Sequence, residues 1–192
     1  MKSMLRFRTA KSQRWVYRLL NGLAIAGSVL LCSLLLLPRL PGIELLGIVP
    51  NWLLIWVVAW SMKRPVWQGM LAGAVLGTIR DSLSAPHSHY PIHLLSLTLV
   101  GFLTARLQKQ RYIQEDFISV ALIVFAMNAI AESIGAVCNF WQGFREWEAV
   151  WRDYQRIVLT SSLLSSLWAP VLYYPLNRWW QYIHALEQSG GK

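Results

Sequence analysis

Acidic residues are scarce in this chain. Nine Asp and Glu stand against 18 Lys and Arg, and charged residues make up only 14% of 192. A soluble domain carries about 25%, so an ordinary water-facing surface is excluded. Cysteine is almost missing too. Cys32 and Cys138 both lie inside apolar runs, which excludes a disulfide framework and a thiolate metal site and leaves two small hydrophobes. No phosphate-binding loop, nucleophile–base pair or paired catalytic carboxylates can be found. Asp81 and Glu132 form a conceivable acid pair, but nothing beside them supplies a nucleophile or a leaving-group site. These absences argue against an enzyme and imply no cofactor.

What the chain has in abundance is apolar surface. It is 55% hydrophobic, with 11 tryptophans and a net charge of +9. The positives sit in short clusters between apolar runs, a pattern that points to membrane topology and not to nucleic acid. The expected fold is an all-α integral membrane protein, a bundle of six transmembrane helices over residues 19–37, 45–61, 65–82, 92–107, 117–140 and 157–176. Each run brackets the ~20 residues needed to cross a ~30 Å hydrocarbon core. Short loops join neighbouring runs, so the bundle, residues 19–180, is one domain. A basic segment, 1–18, precedes it and a tail, 181–192, follows. The first run is read as a retained span, because it is long and no small-x-small cleavage site follows it. Pro50 and Asn51 are expected in the first turns of the second helix, where proline is tolerated.

Charge sets the orientation. With the N-terminus in the cytoplasm, 13 Lys and Arg lie inside and five, Arg39, Arg80, Arg145, Arg152 and Arg156, lie outside. The expected location is a plasma (inner) membrane, multi-pass, with both termini cytoplasmic. Between the last two spans, Trp141, Phe144, Trp147, Trp151 and Tyr154 recur at helical spacing with charged residues between them. Residues 141–155 read as an amphipathic helix lying flat in the outer interface, anchored by Trp141, Phe144, Trp147 and Trp151. The plain reading is a tether for the last span. The sharper one is a docking surface for an external partner.

The third helix organises the rest. Gly69, Gly73 and Gly77 recur every four residues, and Asp81 is the next step on that ridge. Each glycine in a helix costs about 1 kcal/mol relative to alanine in water. In a bilayer the cost is offset when the missing side chain admits another backbone. The stretch reads as a packing helix that brings Asp81 to a set depth. Arg80 and Asp81 lie roughly 24 Å along it, and Glu132, Asn128, Asn51, His93, Thr160, Ser161, Ser162, Ser165 and Ser166 fall at a similar level. The other half of the bundle reads as almost wholly apolar. A charge facing lipid costs a few kcal/mol, so these groups are expected to face one another, a partner helix or water. Arg80 is expected to pair with Glu132, and Asp81 to accept from hydroxyls or backbone. His87, His89 and His93 do not have the spacing of a metal site, and no metal is expected.

The stretch Pro50-Asn51-Trp52-Leu53-Leu54-Ile55-Trp56, the glycines 69, 73 and 77 with Asp81, and Leu99-Val100-Gly101-Phe102-Leu103 resemble the bacterial rod shape-determining protein MreD. The resemblance runs from about residue 20 to 178. It implies a non-enzymatic inner-membrane scaffold subunit of the cell-elongation machinery that helps to regulate peptidoglycan synthesis and cell shape. The implied partners are MreC, the MreB filament, and RodA with its transpeptidase. The implied fold is similar to the substrate-binding subunit of energy-coupling-factor transporters. The family residues carried over are Pro50, Gly69, Gly73, Gly77 and Asp81. The leading expectation is that the glycine ridge and the polar layer, with Arg80, Asn128 and Glu132, receive a partner's transmembrane helix. Membrane lipids would meet the basic rim. The alternative is a transport subunit that binds a small molecule or lipid in that layer.

Overall fold

Six helices make up the regular structure of the described residues, which in this computed structural model are 19–36, 48–84, 91–108, 116–141 and 147–189. They are α1 (Leu19–Leu34), α2 (Trp52–Ser61), α3 (Val66–Ser84), α4 (Ile92–Gln108), α5 (Phe117–Trp141) and α6 (Trp147–Ser189). Two stretches, Phe117–Cys138 in α5 and Tyr154–Ile183 in α6, are long and apolar enough to cross a membrane. The apolar helices Leu19–Leu34, Trp52–Ser61 and Ile92–Leu107 are shorter.

The core forms around α2. Every residue from Trp52 to Ala59, and Ser61, is buried. Its sequence is apolar on all sides, and such a helix is stable only when surrounded. The expected second helix, 45–61, starts too early. Residues 45–47 lie outside the described ones, and Pro50 and Asn51 precede α2 and are not in its first turns. The reason is local. The Asn51 side chain accepts the Leu54 amide at 3.3 Å and caps the helix there. Ten residues at 1.5 Å each give about 15 Å, half a bilayer core.

Two antiparallel helix pairs flank α2. In the α3–α4 pair, Gly69 meets Gly101, Gly73 meets Leu97, and Gly77 meets His93 and Leu94. In the α5–α6 pair, Asn128 bonds Ser161 and Ser162, and one turn and a half further along α5 Ser133 meets Tyr154. On the other side α1 contributes Cys32 to the core, and the Trp56 indole donates to Ser28 at 2.9 Å.

The last helix corrects the sequence reading. A flat helix over 141–155, a separate span over 157–176 and a tail from 181 were expected. Instead α6 is continuous for 43 residues and passes through Pro170 and Pro175. No proline or glycine interrupts 147–169, so the amphipathic period of the first turns runs straight into the apolar one. Beyond Pro175, packing sustains it. Trp180 stands edge-on to Trp60 and Trp56, at ring distances of 5.1 and 6.4 Å, and those two stack at 5.3 Å. Trp141 ends α5 and is 87% exposed, and Trp151 is also exposed. Phe144 lies outside the described residues, and so do the basic segment 1–18, His87 and His89. Trp147 opens α6.

Candidate functional site

The glycine ridge of α3 is filled from within the chain. A Cβ on Gly69 would stand 2.6 Å from the Gly101 carbonyl oxygen, and one on Gly77 would stand 2.7 Å from that of His93. A Cβ on Gly73 would overlap the Leu97 carbonyl group. All three glycines are buried. The two backbones are therefore in direct contact over three turns, and the close approach explains why no larger residue stands at these positions. The expectation that a partner's helix occupies this ridge is corrected accordingly: α4 occupies it. Sequence reasoning missed the answering residue, Gly101, although it was legible as the lone glycine of the apolar α4.

Asp81 follows directly on the ridge. Its two carboxylate oxygens accept the amides of His93 and Leu94, at 3.1 and 2.9 Å. These are the second and third residues of α4, whose early N–H groups have no partner inside the helix. An N-cap side chain normally serves them. Pro91 stands at that place and has no side-chain acceptor, so an aspartate on the neighbouring helix does the work. The negative charge also lies at the positive end of the α4 dipole. Asp81 accepts from backbone, as expected, and its two oxygens are committed to structure.

Arg80, the preceding residue, turns towards α2. Its guanidinium donates to the carboxamide oxygen of Asn51. Arg80 also feels the charges of Glu132 and Asp81. The pairing with Glu132 is thus an interaction of charge, while the hydrogen bond goes to Asn51.

From Asn51 the network spreads through the core. The Asn51 amide nitrogen of the backbone donates to Ser165 Oγ at 2.9 Å, and its side-chain Nδ2 donates to Asn128 Oδ1 at 3.1 Å. Asn128 in turn donates to Ser161 and Ser162, at 3.0 and 3.2 Å. Asn128 is fully buried, and so are Ser162 and Ser165. One carboxamide therefore ties α2 to α3 and α5, and the next ties α5 to α6. Pro50 is buried just before the cap, and its carbonyl accepts the Trp52 amide at 3.0 Å. The serines were seen in the sequence as polar groups of the right depth. Their role was not, because which of five neighbouring hydroxyls faces inward depends on the rotation of α6.

The arrangement is built for holding, not for reacting. Asn51 uses its carboxamide oxygen twice and its nitrogen once, and Asn128 uses both ends. Hydrogen bonds of this kind contribute about 1 kcal/mol each inside a membrane, and they fix which faces of the helices meet. Among the described residues no group of three His, Cys, Asp or Glu is placed to hold a metal ion.

No curated protein and no solved structure matches this chain. The model of one family, rod shape-determining protein MreD, matches residues 16–183, a range that contains all six helices but the last turns of α6. The chain belongs to the MreD family of rod shape-determining proteins.

Proposed function

We propose that the chain is a non-enzymatic scaffold subunit of the cell-elongation machinery, seated in the bacterial inner membrane as six spans with both termini in the cytoplasm. It binds the single-span protein MreC there, and through that complex helps to regulate peptidoglycan synthesis. The observation that carries this reading is the family match over nearly the whole bundle. The internal commitment of the polar layer supports it, since Asp81, Asn51 and Asn128 each hold helices together.

The split of 13 Lys and Arg on one side against five on the other supports the orientation. That basic rim suits anionic lipid, at about 1 kcal/mol per residue near the surface. It also suits the acidic face of a filament such as MreB. RodA and its transpeptidase are further members of the proposed assembly. Because α4 covers the glycine ridge, the MreC helix is assigned to another face of the bundle.

The test is depletion and capture in a rod-shaped host that carries this chain as its MreD. Rounding of depleted cells, with co-purification of MreC from membranes in mild detergent, is the expected result. Rods that keep their shape after depletion, or an MreC that fails to co-purify with a folded chain, would overturn the proposal.

A further inference from the structure

Two arginines stand over aromatic rings at the end of the bundle assigned above to the cytoplasm. The Arg64 Cζ lies 4.4 Å from the centre of the Trp60 ring, and the Arg106 Cζ lies 5.8 Å from that of Phe102. Trp60 is itself fixed, stacked on Trp56 and met edge-on by Trp180. A guanidinium so placed is positioned by the ring, while its planar N–H fork keeps the geometry that matches a phosphate. The register of α3 and α4 puts the two arginines at one level. Gly69 lies against Gly101. Arg64 is five residues before the first, Arg106 is five after the second, and the helices are antiparallel.

The surroundings add positive charge and then apolar surface. Lys63 is exposed next to Arg64, and α3 starts at Val66 with the positive end of its dipole at the same place. No Asp or Glu stands within 45–80 or 82–114, so α2, α3 and α4 bring no acid to this end. Directly beyond the charges the surface turns apolar. Trp67, Leu71 and Val75, four residues apart on α3, are all exposed, and so is Leu107 beside Arg106. A cationic head beside an apolar stripe fits an amphiphile with an anionic head. A soluble acidic partner has nothing to lay on the stripe.

We propose that Lys63, Arg64 and Arg106 bind the phosphate of one anionic phospholipid of the inner leaflet, whose acyl chain lies along Trp67, Leu71 and Val75. Charge-assisted bonds from guanidinium to phosphate are the strong kind, and the fork makes them directional. The inference rests on the orientation proposed above and narrows the basic rim to one saturable site. A phosphate held by both arginines closes the α3–α4 ladder at the end opposite the Asp81 cap.

The test is native mass spectrometry of the purified chain in micelles that hold equal amounts of phosphatidylglycerol and phosphatidylcholine with the same acyl chains. The chain is alone and in detergent, so the result bears on the site whichever way the bundle sits and whether or not it binds MreC. The unaltered chain should retain one phosphatidylglycerol several-fold over phosphatidylcholine. Equal retention of the two would overturn the proposal. The triple variant Lys63→Gln, Arg64→Gln, Arg106→Gln should lose the preference, and Arg156→Gln, exposed near the start of α6, should keep it. A folded triple variant that keeps the preference, or an Arg156→Gln that loses it equally, would overturn the site. If the triple variant does not fold, a phosphatidylglycerol with a photoreactive group beside its phosphate decides on the unaltered chain. Crosslinks should map to 60–71 or 102–107, and labelling confined to other segments would overturn the proposal.

Discussion

The carboxylate of Asp81 accepts the backbone amide of Leu94 at 2.9 Å, so a residue at the end of one helix caps the beginning of the next. The contact is the last step of a ladder that runs from Gly69–Gly101 through Gly73–Leu97 to Gly77–Leu94. The glycines let the helices touch, and the aspartate sets where along each other they stop.

The cap predicts a graded response at Asp81. Asp81→Asn keeps one acceptor for the amides of His93 and Leu94, and Asp81→Ala keeps none. Loss of an N-cap acceptor costs about 0.5–2 kcal/mol. In thermal unfolding in detergent, Asp81→Ala should melt lowest, Asp81→Asn between it and the unaltered chain. Equal melting of the two variants would remove the capping role.

The ridge predicts a contrast between glycines. A Cβ at Gly73 would press on the Leu97 backbone, while one at Gly22 on α1 would meet nothing within 4 Å. Gly73→Ala should destabilise the chain by about 1–3 kcal/mol, the usual result of overpacking against atoms that cannot move. Gly22→Ala should be neutral or slightly stabilising, since alanine is the better helix former. The same pair of melts measures both.

Charge balance predicts a rescue. Arg80→Gln removes the positive charge that acts on Glu132 and the guanidinium that donates to Asn51. Stranding a buried charge costs about 1–3 kcal/mol or more. Adding Glu132→Gln removes the stranded acid, so the double variant should be more stable than Arg80→Gln alone. A double variant that loses the sum of both single effects would show that the two charges do not interact.

The amide network predicts coupling between residues 77 positions apart, Asn51 and Asn128. In a double-mutant cycle with alanine at each, their interaction should amount to about 1 kcal/mol. Additive effects would mean that the carboxamides act independently.

Much of this architecture was legible from the chain alone, and the misses have physical causes. Spacing showed the ridge and its aspartate, because a four-residue repeat of glycine places them on one face whatever surrounds the helix. It did not show who faces the ridge. A helix from another protein and one from the same chain would need the same glycines, and only Gly101 pointed to the second. The start of α2 was misplaced because Leu45 to Val49 is as apolar as the helix itself, and the signal that ends the run is one asparagine cap. The fusion of the interfacial segment with the last span was hidden because aromatic anchors read the same way on a flat helix as on the projecting end of a long one.

The central claim is that the small residues of α3 admit a helix of this same chain, so that the proposed partner MreC would bind elsewhere. A cryo-electron microscopy map of the chain with MreC in a lipid nanodisc tests it most directly. The account predicts the α4 backbone in contact with Gly69, Gly73 and Gly77, Asp81 at the α4 terminus, and the MreC helix on a different face. A map with the MreC helix or acyl chains lying on those glycines would contradict it.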